Sequence, residues 1–261
     1  MAARLTRAKR KIADAHIPFR VPPQEQLPER LESVLTVIYL LFSSGHTATV
    51  GDALFRTDLL DRALALAELL HELLPEELHA TTLLALVLLT DARREARLGA
   101  RGELILLEDQ DRDRWDREMI DRGRALVREA LESGCHGRFA LMAAIAAVHA
   151  EAPTWELTDW AEILGLYDLL ARAWPSPIVL LNRAVARGLA EGPEIGLEAL
   201  DALSEEPTLA TYSYLASARA EMLRRMGRLA ESREAFTEAL MLTANGVERT
   251  FLEGRIAATM R

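Results

Sequence analysis

Three aspartates near the middle of the sequence are the first residues whose spacing suggests a chemical role. Asp109, Asp111 and Asp113 alternate, as the carboxylates of a helix-loop-helix calcium site do. That site also requires glycine at loop position six and glutamate at position twelve, and here those positions hold Arg114 and Ile120. The pattern therefore fails as a calcium loop, and we expect neither a metal ion nor a cofactor in this protein.

The histidines and the cysteine form three incomplete patterns. Cys135 precedes His136, but adjacent side chains at a helix end do not face each other and no third group orients them. The segment His149-Ala-Glu151 resembles half of a zinc deaminase motif, whose paired cysteines are missing from a chain with one cysteine. His71 and His79 are too far apart for a helical zinc pair. The sequence therefore predicts a protein that is not an enzyme.

Aromatic and amide side chains offer a different kind of site. Trp155, Trp160 and Trp174 suggest an aromatic cage, but Trp160 and Tyr167 lie seven residues apart on one helical face, which favours core packing. Asn182 is an amide within an apolar helix and needs a hydrogen-bond partner if it is buried. We expect a neighbouring loop to supply that partner, with a bound peptide as the alternative.

The central acidic stretch can also be explained by the helix that follows it. Asp111, Asp113 and Asp116 lie at or near the start of an amphipathic helix, where carboxylates satisfy free amides and complement the helix dipole. Capping favours a structural role, with residues 102–117 as a hinge between two helical halves. The alternating arginines predict charge pairs on a solvated face: Arg112, Arg114 and Arg117.

Most of the remaining sequence is predicted to be helical. Apolar residues recur at three- and four-residue spacing after Pro28, which indicates amphipathic helices. One helix is predicted over 81–96, with Leu83 to Leu89 apolar on every side and the charged run Arg93 to Arg97 returning it to solvent. Half of the residues are apolar and 5% are aromatic. The predicted fold class is all-α.

Charge and cysteine content limit the partners and the compartment. The chain has a net charge of −9 and one cysteine, and no signal peptide or membrane span is apparent, which predicts a cytoplasmic protein. The acidic body should repel nucleic acid and anionic membranes. Direct DNA binding through the basic N-terminal segment should be weak, salt-dependent and blind to sequence. That segment contains five basic residues: Arg4, Arg7, Lys9, Arg10 and Lys11.

A repeat is visible in the C-terminal half. Residues 227–240 resemble the second helix of a tetratricopeptide repeat, in which Ala220 would pack against Ser232 and Phe236. Val247 to Thr259 is predicted to be a capping helix. Equivalent positions occur 36 residues earlier, and a more degenerate copy precedes them, using the helix 139–148: Ala184, Gly196 and Leu200, then Tyr167, Leu170 and Pro175.

Several sequence blocks, in one order, resemble a known family. Residues 1–12 and 17–22 look like the junction in extracytoplasmic-function (sigma-24-like) RNA polymerase sigma factors that carry a long C-terminal helical extension. There, an Arg-Leu-x-Arg-Ala segment ends the promoter-reading helix-turn-helix and a proline linker follows. The resemblance covers essentially the whole chain, and its further blocks are 35–40, 106–112, 114–116, 149–153, 158–160 and 181–185.

The resemblance implies a regulatory, protein-interacting extension that acts in transcription initiation through the sigma core or RNA polymerase. The promoter-melting domain and most of the helix-turn-helix are absent here, so the chain is either a fragment or a stand-alone relative, and promoter DNA would be contacted through a missing region. The alternative is a small-molecule-sensing domain or a tetratricopeptide-like scaffold. The candidate interaction or signature residues are Asp109, Asp111, Arg112, Trp115, Asp116, Asp159, Trp160 and Asn182.

The predicted organisation has four parts. Residues 1–16 are the remnant of the last sigma helix, which carries the basic residues, and 17–28 form a proline-rich linker. Residues 29–135 are an N-terminal helical half. Residues 136–261 form the tetratricopeptide-like half with its capping helix. The expected architecture is therefore a helical bundle followed by tetratricopeptide-like helical-hairpin repeats.

Overall fold

The computed structural model describes residues 27–260, with side chains from Arg30 onward, together with Thr6, Arg7, Arg10, Lys11 and Asp14. Most of these residues are helical and the strands have two residues each, which confirms the predicted all-α class. Arg4, Lys9 and most of the predicted linker, 17–26, lie outside the described residues. Eleven helices occur in the described part: α1 Leu27–His46, α2 Thr57–Leu73, α3 Leu78–Asp91, α4 Arg117–Glu132, α5 Arg138–Glu151, α6 Trp160–Ala173, α7 Pro177–Glu191, α8 Pro193–Asp201, α9 Ser213–Arg225, α10 Leu229–Leu242 and α11 Gly246–Ala258.

The chain divides into two compact units, 1–36 and 37–261. In the first unit, Arg7, Arg10 and Lys11 are helical and exposed, and the Arg10 guanidinium lies 3.8 Å from the carboxylate of Asp14. All further contacts, cavities and sites described below belong to the second unit.

Helices of the second unit pack as successive hairpins. The pairs are α3 with α4, α5 with α6, α7 with α8 and α9 with α10, and each pair contacts the next. Leu83 to Leu89 is buried on every side, as its composition predicts. Helix α3 nevertheless ends at Asp91, earlier than expected, and a short 3-10 helix follows at Arg94–Arg97.

The repeat predicted in the C-terminal half is confirmed by its contacts. Ser232 on α10 is completely buried, and its hydroxyl donates to the carbonyl of Ala220 on α9 at 2.8 Å. Phe236 belongs to the same buried cluster. Ala184 and Leu200 hold the matching places on α7 and α8. The predicted capping helix is α11, which begins at Gly246.

Helices α7 and α8 approach each other at two glycines. They are joined through Gly192, whose φ of 122° lets α8 begin immediately at Pro193. A Cβ added to Gly196 would lie 2.5 Å from the Cα of Gly188, a backbone atom that no side-chain rotation can move. The small residue at the repeat position therefore sets the distance between these two helices.

We expect Gly196→Ala to destabilise the protein despite alanine's better helix propensity. Overpacking of this kind lowers the free energy of unfolding by about 1–3 kcal/mol. Gly254→Ala is the matched control, because Gly254 also lies within a helix and an added Cβ there meets nothing within 4 Å. That control should gain about 0.5–1 kcal/mol. Urea denaturation of both variants checks the expectation, and equal shifts would disprove the close approach.

The first and last elements of the second unit meet. Two-residue strands β1, Val50–Gly51, and β2, Ala244–Asn245, pair in parallel. The buried Asn245 amide nitrogen donates to the carbonyls of Ala48 at 2.9 Å and Ala53 at 2.8 Å. The same side chain caps α11 through Oδ1. The two ends of the row of hairpins in the second unit are therefore joined by the β1–β2 pair and by the side chain of Asn245.

Candidate functional site

The helices of the second unit surround a partly open chamber of about 860 Å³. Its wall comes mainly from α1, α3, α5, α7, α9 and α11, the first helices of the successive hairpins and the last helix. The volume is within the range of small-molecule sites, which are usually apolar with a few converging polar groups. The apolar wall residues include Leu86, Met142, Ile178, Leu181, Val185 and Leu189, and the aromatic ones include Tyr39, Trp155, Tyr212 and Tyr214.

The central stretch of the sequence forms one side of this chamber. Leu98 and Leu104 form an antiparallel bridge, and the chain then turns through a 3-10 helix at Leu107–Asp109. Leu106, Leu107 and Glu108 line the chamber. Glu108 accepts from Arg225 of α9 at 2.7 Å and from Arg255 of α11 at 3.3 Å. These ion pairs hold the tip of the loop across the chamber. This stretch therefore forms part of the chamber wall, whereas it was predicted to be a hinge between two halves.

The arginines of this stretch do not make the predicted surface charge pairs. Arg112 donates to the carbonyls of His149 at 2.8 Å and Ala152 at 2.6 Å, at the end of α5. Arg114 donates to the carbonyls of Glu95 and Leu98, and Arg117 to that of Arg112. Loop and helix-end carbonyls have no helical partner and require donors. The prediction of paired charges on a solvated face was therefore wrong.

Capping by the acidic cluster is confirmed only in part. Asp116 accepts from the amide of Met119 at 3.0 Å and caps α4, whereas Asp111 caps a separate 3-10 helix, Arg112–Arg114. Asp109 is exposed at the end of its own short helix. Asp159 caps α6 by accepting from Glu162 at 2.8 Å. The two aspartates at α-helix starts thus have structural roles.

Two of the predicted aromatic residues lie close together beside the chamber. The rings of Trp155 and Trp160 are 4.6 Å apart, and His149 meets Trp160 edge-on at 5.3 Å. Trp155 lines the chamber, whereas Trp160 packs against the core of α5 to α7. Trp174 is separate from them and contacts the guanidinium of Arg138 at 5.1 Å. The three tryptophans therefore do not form a common cage.

Asn182 occupies a different environment from the one predicted. It is exposed on the chamber wall, and none of the described residues forms a hydrogen bond with its side chain. The expected partner in a neighbouring loop is therefore absent, because α7 turns this face toward the cavity. A polar amide with free donors and acceptor on an otherwise apolar wall is available to a ligand.

Two partly buried arginines next to the chamber were not predicted from the sequence. Arg93 and Arg97 were expected in solvent, but both are partly buried, and Arg97 lines the chamber. Burial, and then repulsion by Arg97, lowers the pKa of Arg93 to about 10. Burial also lowers the pKa of Arg97 to about 10. The signal in the sequence was that Arg93 and Arg97 lie four residues apart, directly after a fully apolar helix, because residues at this spacing share a helical face.

Two buried histidines lie near these cations. The Nδ1 atoms of His46 and His149 are buried and have no partner among the described residues. Burial, followed by repulsion from Arg97, lowers the pKa of His46 well below its usual value. Burial, followed by repulsion from Arg93 and Arg112, lowers the pKa of His149 to about 3. Both imidazoles are therefore neutral in the folded protein.

We expect these histidines to make the protein less stable as the pH falls below neutrality. The pKa of folded His149 is depressed, so the unfolded chain binds a proton below about 6.5 while the folded chain does not, and stability falls from that value toward 3. Between pH 7.5 and 5.0 the loss from His149 is about 2 kcal/mol. His46 acts in the same direction. Denaturant titration at both pH values should show a smaller loss in His149→Gln, and equal losses would contradict this origin.

The single cysteine has a neighbour that the sequence did not indicate. Cys135 is buried, and its sulfur lies 3.9 Å from Nδ1 of His79. The adjacent His136 instead contacts the carbonyl of Gly134 at 2.9 Å. The prediction that Cys135 and His136 do not form a pair is therefore confirmed. Only the three-dimensional packing of α3 against the end of α4 brings His79 to this position.

A solved structure resembles this row of hairpins. The crystal structure of TTC0263, described as a thermophilic TPR protein in Thermus thermophilus, superposes with a TM-score of 0.55 at 16% sequence identity. The match covers 88% of this chain and 98% of that protein. The fold is tetratricopeptide-like. At this identity the similarity establishes the architecture, while function is carried by the particular site.

Sequence comparisons find one matching family model and one similar protein. A family of unknown function, DUF6596, matches residues 30–131. The uncharacterized protein R00370 of Rhizobium meliloti (strain 1021) is 43% identical over 252 residues, which is 97% of this chain. This chain spans 59% of the length of that relative. Within the described residues, no helix has the length and apolar character needed to cross a membrane.

Proposed function

We propose that this chain is the regulatory extension of an RNA polymerase sigma factor of the extracytoplasmic-function type. The observation that carries the proposal is the ordered series of sequence blocks resembling such extensions, from residues 1–12 to 181–185. Two findings support it. The tetratricopeptide-like fold is compatible with a protein-interacting module, and the R00370 relative is longer than this chain, as an extension joined to further domains requires.

The signature residues lie where such a module could be regulated. Arg112 and Trp115 fasten the central loop, with the Arg112 guanidinium 4.4 Å from the Trp115 ring. Asn182 faces the chamber that this loop borders. A change in the loop would therefore alter both the chamber and the surface around Asp109. In this proposal, that surface contacts the sigma core or the polymerase.

A pull-down tests the protein contacts. The whole chain is immobilised and incubated with a sigma core and, separately, with RNA polymerase, at low and at high salt. The net charge of −9 predicts that binding to basic partner surfaces weakens as salt increases. Asp109→Lys reverses an exposed charge beside the loop tip and should weaken capture, whereas Glu238→Lys, on an exposed face of α10, should not. Absence of capture by both partners at low salt would refute the proposal.

We infer a second function for the same chain, that of a small-molecule sensor. The largely apolar chamber carries this proposal, because its volume and its few polar groups are typical of small-molecule sites. The neutral fluorescent probe N-phenyl-1-naphthylamine should bind in the chamber. Ala218→Trp adds bulk to the chamber wall and should abolish binding. Ala190→Trp, at an exposed position of α7, should not, and equal binding by both variants would place the probe elsewhere.

A further inference from the structure

One arginine on the chamber wall forms no ion pair within the described residues, although the charges of Glu248 and Asp91 act to raise its pKa. Four charged side chains on the wall, Glu108, Glu221, Arg225 and Arg255, form ion pairs with one another. Arg97 has no carboxylate within ion-pair distance among the described residues. Its two hydrogen bonds are to the carbonyl of His46 at 2.6 Å and the hydroxyl of Thr47 at 3.3 Å. A guanidinium has five N–H donors, so further donors remain for a ligand.

A second arginine without an ion pair lies one helical turn away. Arg93 has no carboxylate partner and no hydrogen bond in the described part of the chain, and its guanidinium lies 5.9 Å from the Trp115 ring. Nη2 of Arg112, over the same ring, is buried and also lacks a partner there. By contrast, Arg94, the next residue after Arg93, forms ion pairs with Asp91 and Asp61. Partly buried cations that are not paired lower stability unless an anion is bound.

The neighbouring histidines respond to the same surplus of positive charge. His46 lines the chamber, and its depressed pKa reflects burial together with repulsion from Arg97 and Arg93. The pKa of His149 is depressed by burial together with repulsion from Arg93 and Arg112. Positive charges therefore repel one another at this end of the chamber, although the chain as a whole is acidic.

We propose that the chamber binds a small amphipathic organic acid, with its anionic head group at Arg97 and its apolar body against the wall formed by α3, α5 and α7. Arg93 lies behind this wall and adds positive charge near Arg97. Bidentate recognition by arginine suits a carboxylate or a phosphate group. The apolar wall residues Leu86, Met142 and Leu181 suit a hydrocarbon or aromatic body rather than a free inorganic ion. This inference rests on the second proposed function, that the chamber is a ligand site.

Two fluorescent probes that share one ring system test the inference. 8-Anilinonaphthalene-1-sulfonate carries a sulfonate that N-phenyl-1-naphthylamine lacks. Arg97→Gln should weaken binding of the sulfonate probe by about ten-fold or more, the usual effect of losing a hydrogen bond to a charged group. Arg93→Gln removes a charge behind the wall and should weaken that binding less, and both substitutions should leave the neutral probe unchanged. The matched control is Arg101→Gln, because the Arg101 side chain is 90% exposed. It should change neither affinity.

Competition with the wild-type protein separates the head groups. Octanoate and octyl phosphate are used to displace the sulfonate probe, with 1-octanol as the uncharged control. Displacement by octanoate supports a carboxylate ligand, and displacement by octyl phosphate alone supports a phosphate ester. Displacement by 1-octanol as effective as by both acids would overturn the anion site. This arm needs no variant, so it decides the question even if Arg93→Gln or Arg97→Gln fails to fold.

The probe titrations distinguish failure of the ligand site from failure of the anion site. If neither probe binds, the chamber is not a ligand site and the second proposed function fails with it. If the neutral probe binds but the arginine substitutions affect both probes equally, the chamber remains a ligand site and the anion site alone is refuted. Circular dichroism and thermal unfolding of each variant accompany the titrations. We expect Arg93→Gln to retain the wild-type melting temperature or exceed it, because it removes an unpaired and partly buried charge.

Discussion

Trp115→Ala is expected to lower the free energy of unfolding by about 3–5 kcal/mol, as truncation of a large buried aromatic residue does. The Trp115 side chain is 3% exposed. The guanidinium groups of Arg112 and Arg93 lie 4.4 and 5.9 Å from its ring. Its removal would leave a cavity and two partly buried cations without their aromatic neighbour. Guanidinium chloride denaturation at neutral pH measures the effect.

Asp109→Ala is the matched control for this substitution in the same loop. Asp109 is exposed, so its replacement should change the free energy of unfolding by no more than about 0.5 kcal/mol. The two variants also separate structure from recognition, since Asp109→Ala is expected to keep the fold while altering the surface proposed to contact partners. The reverse order of stabilities would mean that Asp109 is bound to another group and that the role assigned to Trp115 is wrong.

The C-terminal hairpins could be predicted from the sequence because their spacing is regular. Ser232 and Gly196 are small residues at equivalent points of α10 and α8, where Ser232 meets Ala220 of α9 and Gly196 meets Gly188 of α7. The same packing occurs earlier, where a Cβ added to Gly123 of α4 would lie 2.7 Å from Leu89 of α3. The loop between α3 and α4 interrupts the period there. The repeat before residue 136 was therefore not recognised.

The chamber could not be predicted because it depends on contacts between distant parts of the sequence. The alternating charges around Arg112 and Arg114 predicted ion pairs on a solvated surface, which such charges usually form on a helix. In the structure the loop is not helical over most of this stretch, so its carbonyls and those at the end of α5 take these donors instead. Asn182 was expected to bond to a neighbouring loop, but it is exposed on the chamber wall because of the direction in which α7 faces the cavity.

Local packing explains how an acidic protein can hold partly buried arginines. The chain has a net charge of −9, whereas Arg93, Arg97 and Arg112 are partly buried against aromatic rings. A low local dielectric strengthens the attraction of such cations for an anion. The position of Arg97 on the chamber wall therefore depends on the packing of the second unit, to which the pairing of β1 with β2 contributes.

Asn245→Ala is expected to destabilise the protein by about 3 kcal/mol or more, because one side chain makes four hydrogen bonds. Its Nδ2 donates to Ala48 and Ala53, and its Oδ1 accepts from the amides of Val247 and Glu248 at 3.0 and 3.1 Å. The residue is fully buried. Loss of the amide would leave two carbonyls without donors at the point where the two ends of the row of hairpins are joined.

Asp159→Ala separates capping from the contacts that join the two ends, because Asp159 caps α6 with a single hydrogen bond and is exposed. Its removal should cost about 1 kcal/mol, the usual value for a helix cap, so the excess loss in Asn245→Ala measures the contacts between the first and last elements. Asn245→Ala should also bind N-phenyl-1-naphthylamine more weakly, since loosening of α1 and α11 would displace side chains of the chamber wall, whereas Asp159→Ala should bind it normally. Equal effects of the two substitutions on stability and on probe binding would show that the chamber does not depend on these contacts.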